Sequence, residues 1–207
     1  EGKAGLPLTL RLQLVNVNQG CAPISNAAVY IWHCDKDGVY SGYSQPASNT
    51  VGQTFLRGIQ LADTDGMVSF QTIYPGWYAG RITHVHFQVY LNDNLTVTAT
   101  ATSQIAFPEA ITTAVYNTSL YAAHGQNSSV TGFASDNVFS DGTTYQMATL
   151  EGDVSQGYTA SADPQAWRIV EDKLYLNYNL DVQKTWALDM PGNIARGEAN
   201  WPAVLDK

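Results

Sequence analysis

Two tyrosines and two histidines lie close together in this sequence, at positions from which they could share one metal ion. Tyr40 ends the loop DGVY, and Tyr78 follows a Pro-Gly turn in PGWY. His84 and His86 are two residues apart in HVHFQVY, which we predict to be a strand. Because side chains alternate along a strand, both imidazoles leave it on the same face. Two phenols and two imidazoles indicate ferric iron, a hard ion that favours anionic oxygen donors and also accepts imidazole.

The residues around these four candidates form an ordered set of motifs: WHCDKDGVYS, then FLRGIQLADTDG, then TIYPGWYAGRITHVH. Together they resemble the intradiol ring-cleavage dioxygenases, a family of non-haem iron enzymes of aromatic catabolism that open catechols between the two hydroxylated carbons. The resemblance runs from about Gly5 to about Ala160. It implies cleavage with O2 to cis,cis-muconate-type products, and a Fe(III) ion held by Tyr40, Tyr78, His84 and His86.

The resemblance also implies roles for individual residues. Tyr78 matches the ligand that leaves the metal when the catechol binds, and Tyr40 matches the ligand that stays. Arg81 matches an arginine that stabilises charge on the activated substrate ring. Its guanidinium suits this role because it is always positively charged and has several hydrogen-bond donors in one plane. The alternative for Arg81 is a surface arginine paired with a nearby acid.

The sequence gives weaker indications of a role for five further residues near the candidate ligands. We expect Trp77 and Tyr43 to line the mouth of the pocket. Gln88 follows the two histidines on the same strand face, where it could orient a ligand or touch substrate. We interpret His33 as a hydrogen-bonded structural residue and His124, in the loop AAHGQNSS, as solvated.

The composition restricts the class of protein. The chain has 207 residues, 44% of them hydrophobic and only 14% charged, with 17 Gly and 12 Tyr. This mixture favours strands joined by turns. The net charge is −8, and no basic run or long apolar stretch is present. We therefore expect neither a nucleic-acid partner nor a membrane span.

Alternating hydrophobic residues and turn signals predict a mainly β protein, an antiparallel β-sandwich with short surface helices. We predict a hairpin over 54–74, with its turn at Asp65-Gly66, and a short helix over 107–116. Further strands are predicted over 7–17, 26–32, 84–91, 94–103, 142–153 and 157–162.

We predict a sandwich domain over 1–162 and a C-terminal extension over 163–207. The extension is richer in charge and Trp, and its opening, DPQAW, is typical of a helix start. It resembles the C-terminal end of bacterial proteins that carry a YHS domain, although no cysteine-bearing YHS core is present. We expect a helical extension packed on the sandwich.

The two cysteines bear on the cellular location. We expect a Cys21–Cys34 disulfide and an extracytoplasmic protein, secreted or periplasmic; the alternative is two buried free thiols in a cytosolic protein. A chain beginning at Glu1 fits removal of a signal peptide and equally fits trimming. Three N-glycosylation sequons are compatible with secretion, at Asn94, Asn117 and Asn127.

Two other functions remain open at this stage. One is a non-catalytic secreted β-sandwich module that binds carbohydrate or an aromatic ligand through Trp and Tyr. The other is a structural zinc or copper site that uses the two histidines. Cytosolic members of the resembled family carry a long helical N-terminal region that forms the dimer. This chain begins almost directly with its first strand, so we expect a monomer.

Overall fold

The computed structural model describes residues 2–16, 19–45, 48–162, 167–170, 173–176, 189 and 192. Its main helix is α1, Glu109–Tyr116, as predicted, and Leu91–Asp93 and Phe133–Ser135 form single 3-10 turns. No helix in these residues is long and apolar enough to cross a bilayer. The strands are β1 Pro7–Gln13, β2 Val15–Asn16, β3 Ala22–Pro23, β4 Ala28–Trp32, β5 Ser44–Gln45, β6 Ser48–Asn49, β7 Arg57–Leu61, β8 Met67–Ile73, β9 His84–Tyr90, β10 Ala101–Ala106, β11 Thr149–Asp153, β12 Gly157–Ala162, β13 Trp167–Val170 and β14 Lys173–Leu176.

Two four-stranded sheets form the body of the protein. The first has the order β11-β12-β1-β8 and the second has the order β10-β9-β4-β7. Every neighbouring pair is antiparallel except β1 and β12, which are parallel. Alternate side chains of both sheets are buried in one hydrophobic core, among them Leu8 and Leu10 of β1 and Val85 and Phe87 of β9. The predicted antiparallel-rich β-sandwich is therefore confirmed.

The face of the second sheet that points away from the core carries the candidate ligand His86. His86 of β9 lies opposite Trp32 of β4 on one side and Gln104 of β10 on the other. Arg57 of β7 lies opposite Trp32. Paired residues share a face of the sheet, so these four residues form a row across it.

The predicted hairpin over 54–74 is wrong, because its two strands belong to different sheets: β7 pairs with β4, and β8 pairs with β1. The backbone between them explains the crossing. Ala62 exchanges hydrogen bonds with the segment before β4, accepting from Asn26 and donating to Ala27, whereas Gly66 accepts from Leu14 beyond β1. The link is thus hydrogen-bonded to the sheet of β7 where it begins and to the sheet of β8 where it ends. The chain crosses from one sheet to the other and does not reverse within one sheet.

The predicted helix start at DPQAW is also wrong, because residues 167–170 and 173–176 form strands. β13 and β14 form an antiparallel pair, with Trp167 opposite Leu176 and Val170 opposite Lys173. Aromatic and β-branched residues in WRIV and KLYL favour strands. The other residues of 163–207 lie outside the described residues, apart from 189 and 192. The domain boundary and the packing of the extension stay predictions.

The expected disulfide is not formed: Cys21 is an exposed free thiol and Cys34 a buried one. A bridge required the two segments to pair as neighbouring strands. Instead, β3, which follows Cys21, pairs with β2, and β4, which precedes Cys34, pairs with β7 and β9. The extracytoplasmic location stays a prediction, without support from a bridge.

Candidate metal centre

The fold brings the four predicted ligands together. His84 Nε2 lies 3.1 Å from His86 Nε2, 3.3 Å from the Tyr40 hydroxyl and 3.5 Å from the Tyr78 hydroxyl. The two phenol rings meet edge to face, with centroids 5.5 Å apart. His84 and Tyr40 are buried, and His86 and Tyr78 are half-buried. Two oxygen donors and two nitrogen donors therefore share one small space.

The two imidazoles present neutral nitrogen donors to this space. His84 Nδ1 lies 2.6 Å from the Ile82 carbonyl, so Nδ1–H donates there and the lone pair of Nε2 faces the cluster. Burial lowers the pKa of His84 to about 4 and, together with the neighbouring His84, lowers that of His86 to about 3. Both rings are uncharged at neutral pH, the form in which histidine binds metals.

The two phenols need a cation in order to ionise. Burial raises the pKa of Tyr40 and of Tyr78 above the ordinary tyrosine value. A strongly charged ion can displace both protons and restore electrical balance among otherwise neutral donors. No group of three or more His, Cys, Asp and Glu side chains gathers anywhere in the described chain, so the two phenols are needed to complete a donor set here. The tyrosine-rich donor set fits Fe(III).

Two loops carry the tyrosines, and their backbones are in direct contact. The Gly76 N–H, in the loop of Tyr78, donates to the Asp35 carbonyl, in the loop of Tyr40, at 3.1 Å. A Cβ on Gly38 would collide with the Trp77 carbonyl, and one on Gly76 with the Lys36 carbonyl. The glycines of DGVY and PGWY therefore permit this close approach, which places both phenols beside strand β9.

Trp77 and His124 hold the Tyr78 loop from its other side. The indole Nε1–H of Trp77 donates to the Gly125 carbonyl at 2.9 Å, and His124 Nε2–H donates to the Trp77 carbonyl at 2.8 Å. The rings of Trp77 and His124 lie 4.6 Å apart. The prediction that His124 is solvated is wrong, because its loop folds back onto the turn. Trp77 packs partly against the core.

Arg81 is buried next to the cluster and paired with an acid. Its Nε–H donates to Asp136 Oδ2 at 3.0 Å, and its Nη2 donates to Gln104 Oε1 at 2.5 Å. Burial alone would raise the pKa of the fully buried Asp136, but hydrogen bonds from the Ile82 N–H and from Arg81 lower it overall. Sequence reasoning missed Asp136 and Gln104, because neither stands in a motif that names its partner.

The remaining predicted residues lie around the cluster. Tyr43 is 51% exposed, and its ring meets the Tyr40 ring edge on. That Tyr43 and Trp77 line the pocket mouth stays a prediction. Gln88 hydrogen-bonds Thr102 and Tyr90 and none of the four candidate ligands. His33 is buried, with its ring nitrogens 2.8 Å from the Cys34 carbonyl and the Thr72 hydroxyl, which confirms its structural role.

A cavity of about 470 Å³ opens beside His86, between β10 and the segment that follows Asp136. Its volume is typical of small-molecule sites, and most of the residues that line it have polar, uncharged side chains. The cavity is lined by His86, Thr102, Ser103, Gln104, Val138, Asp141, Gly142, Thr144, Tyr145 and Gln146. Asp141 is the one acid among them and Gln104 joins the cavity to Arg81.

Known proteins share this arrangement of strands. An intradiol ring-cleavage dioxygenase from Tetranychus urticae is 26% identical, with a TM-score of 0.69 over 84% of this chain and 87% of its own. The 3-chlorocatechol 1,2-dioxygenase of Rhodococcus opacus 1CP is 20% identical, with a TM-score of 0.52, and supports the fold alone; the match covers 78% of this chain and 59% of that one. No curated protein sequence matches this chain.

The sequence itself matches the family model named Dioxygenase_C and described as a dioxygenase, over residues 1–114. That match covers more than half of the 207 residues and includes all four candidate ligands and Arg81. With the motifs, the sandwich and the clustered tyrosines and histidines in agreement, the chain belongs to the intradiol ring-cleavage dioxygenase family.

Proposed function

We propose that this protein is a non-haem Fe(III) dioxygenase that cleaves catechols between their hydroxylated carbons with O2, yielding cis,cis-muconate-type products. The observation that carries the proposal is that the two phenol hydroxyls and the other imidazole all lie within 3.5 Å of His84 Nε2. Ferric iron held by these four residues would bind a catechol as its dianion and supply the redox chemistry for its reaction with O2.

Proton transfer from the catechol is the first task of the protein side chains. Tyr78 is half-buried, whereas Tyr40 is only 8% exposed. Because burial raises the pKa of the Tyr78 phenol, its phenolate is a strong base once it is no longer paired with a cation. Tyr78 therefore accepts a catechol proton as it leaves the cluster. Since the backbone of its loop is anchored, we expect a side-chain rotation and no loop opening.

Arg81 stabilises negative charge on the bound ring. Asp136 holds one edge of its guanidinium, and Nη2 donates to Gln104, a residue of the cavity lining. A preoriented cation in a buried site stabilises developing charge more strongly than a solvated one. The pairing with Asp136 also keeps the resting site close to neutral, which reduces the cost of burying the arginine.

Neutral catechols are the substrates that suit this site. Among the described residues that line the cavity, none is a cation and Asp141 is the charged one. Arg81 is paired with Asp136, and Arg57 is bound to Ser41 and Tyr30. A carboxylate on the substrate would find no free positive partner in this lining.

The decisive experiment is a visible spectrum of the purified protein loaded with iron, recorded before and after anaerobic addition of catechol. We expect about one iron per chain, a tyrosinate-to-iron absorption band that shifts with catechol, and formation of cis,cis-muconate when O2 is admitted. Tyr40→Phe should remove most of the band. Tyr90→Phe, whose hydroxyl donates to Gln88 outside the cluster, is the matched control.

Several outcomes would refute the proposal. A protein that stays colourless after ferrous iron and air are supplied does not contain this centre. Retention of glycans by such a protein would favour the binding module, and stoichiometric zinc or copper would favour a structural metal site. A coloured protein that leaves catechol unchanged in O2 would refute the proposed reaction.

A further inference from the structure

His86 is oriented in a different way from His84. The His84 ring is fixed by the hydrogen bond from Nδ1 to the Ile82 carbonyl. Within the described part of the chain, Nδ1 of His86 has no such partner. Its ring instead lies flat against Trp32, with centroids 4.6 Å apart and planes within 3° of parallel. A metal-binding histidine commonly has its second nitrogen held by a hydrogen bond, so the Trp32 face takes the place of that constraint.

The stack continues away from His86 along the sheet. Trp32 is followed by Tyr30, with ring centroids 5.1 Å apart and an angle of 21° between the planes. Both residues lie on the face of β4 that points away from the core, and neither belongs to the buried core cluster. We call Tyr30, Trp32 and His86 the aromatic stack. Trp32 therefore packs on the outer face of the sheet, beside the candidate ligand His86, and not in the core.

Arg57 connects this stack to the loop of Tyr40. Its Nη1 donates to the Tyr30 hydroxyl at 2.5 Å. Its Nε donates to the Ser41 hydroxyl at 2.8 Å, and its Nη2 donates to the Ser41 carbonyl at 2.7 Å. Ser41 directly follows Tyr40. One guanidinium thus holds both the outer end of the stack and the backbone that carries a phenol ligand.

We infer that Trp32 and Arg57 are positioning residues of the metal centre. Trp32 sets the ring plane of His86, and Arg57 fixes the aromatic stack relative to Tyr40, so that one strand ligand and one loop ligand keep a constant spacing. Tyr78 is outside this linkage, which leaves it free to rotate. The inference rests on the proposed ferric centre. Loss of partners that orient metal ligands typically weakens metal binding by about 10- to 100-fold.

The test for Trp32 compares Trp32→Leu with Trp32→Phe after loading with Fe(III). Three quantities are measured: the rate at which a chelator removes the iron, the position of the tyrosinate-to-iron band, and the melting temperature of the metal-free protein. Trp32→Leu should lose iron at least about 10-fold faster and show a shifted band. Trp32→Phe, which keeps a flat aromatic face, should restore most of the iron retention. The metal-free proteins should melt within a few degrees of one another.

The test for Arg57 uses Arg57→Met and Tyr30→Phe. Arg57→Met removes both connections and should accelerate iron loss. Tyr30→Phe keeps the stack but removes the hydroxyl that Arg57 binds, so its effect should be smaller. Arg11→Met is the matched control, because Arg11 is exposed on β1 in the other sheet. It should leave the rate of iron loss and the spectrum unchanged.

The outcomes separate this inference from the proposed function. If the wild-type protein binds no ferric iron, the proposed function fails and the inference fails with it. If the wild type is coloured and active while Trp32→Leu and Arg57→Met keep its spectrum and iron retention, the inference alone is overturned. It is also overturned if iron loss merely follows a large drop in the stability of the metal-free variants, because Trp32 and Arg57 would then act on the fold.

Discussion

At the scale of single residues, the candidate centre is a buried group of neutral donors. Burial keeps both imidazoles uncharged and both phenols protonated in the metal-free protein. Acidic metal sites hold negative charge before the ion arrives, but this site creates its charge only when an ion displaces protons. Selectivity for a strongly charged ion follows, because a weakly charged ion gains too little from buried phenolates to replace their protons.

This charge balance predicts proton release on metal binding. Ferric iron should release two protons per ion from the two phenols and none from the imidazoles above pH 6. Iron affinity should consequently fall as the pH is lowered. Proton release into a weakly buffered solution during anaerobic loading measures the number directly. Tyr78→Phe should reduce it by one, and an unchanged number would show that Tyr78 does not bind as a phenolate.

His33 makes the folded protein sensitive to acid. Burial lowers its pKa to about 4 from an unfolded value of 6.5, so below pH 6.5 the unfolded chain binds the proton more readily. Stability is complete above pH 6.5 and falls as the pH drops toward 4, by about 3 kcal/mol for this group. We expect His33→Gln to make this fall shallower. Urea unfolding of the metal-free proteins at pH 7 and pH 4.5 checks it, and parallel losses would contradict it.

Sequence reasoning found the residues that stand in motifs and missed those that do not. Tyr40, Tyr78 and the two histidines are recognisable because local spacing on a loop or strand determines where they point. Asp136 is far along the chain from Arg81, and only the folded loop brings its carboxylate under the guanidinium. Trp32 stands in a motif, but its contact with His86 depends on the register of β4 and β9.

At the scale of elements, the two ligand loops form a single unit. Gly38 has φ +81°, and an added Cβ would collide with the Trp77 carbonyl. We expect Gly38→Ala to lower stability by about 3 kcal/mol, from the left-handed backbone and the backbone collision together. It should also weaken iron binding, since the collision pushes the Tyr40 and Tyr78 loops apart. Thermal unfolding and chelator competition measure the two effects.

Gly42 provides a matched control for this substitution. It has the same φ of +81°, but the nearest atoms to an added Cβ lie at 3.6 Å or more. Gly42→Ala should therefore carry only the backbone cost, about 1–2 kcal/mol. Equal losses in the two variants would show that the contact between the loops is unimportant.

Strands were predictable from alternation, but their partners were not. β1, β9 and β12 show clear patterns of hydrophobic residues, and each forms close to its predicted position. The apparent hairpin over 54–74 failed because a Gly-containing turn has the same local signature whether the chain returns within a sheet or crosses to another. The absent disulfide has a related cause: Cys21 and Cys34 flank strands whose pairing depends on the whole sandwich.

At the scale of the whole molecule, charge should select the substrate. The chain carries a net charge of −8, and Asp141 lines the cavity without a hydrogen bond or ion pair to any described residue. We expect kcat/KM for 3,4-dihydroxybenzoate to be lower than that for catechol by about 10-fold, or about 1.4 kcal/mol. Added salt should narrow the gap through screening.

Asp141→Asn tests the local part of this effect. It should raise kcat/KM for the carboxylated substrate by a few fold while leaving catechol unchanged. Asp153→Asn, at the exposed end of β11, is the control for net charge alone. A preference for 3,4-dihydroxybenzoate in the wild type would show that an arginine is available to the substrate carboxylate after all.

The parallel pairing of β1 with β12 has a consequence for how the chain folds during synthesis. β1 is synthesised before both of its partners and can pair with β8 as soon as Ile73 has emerged. Its other edge must wait for Tyr158 and the residues that follow it. Throughout that interval β1, in which leucines alternate with polar residues, has an open edge that can pair with other chains. Newly made protein should thus depend on chaperones until β12 emerges, and refolding from denaturant should be slow and concentration-sensitive.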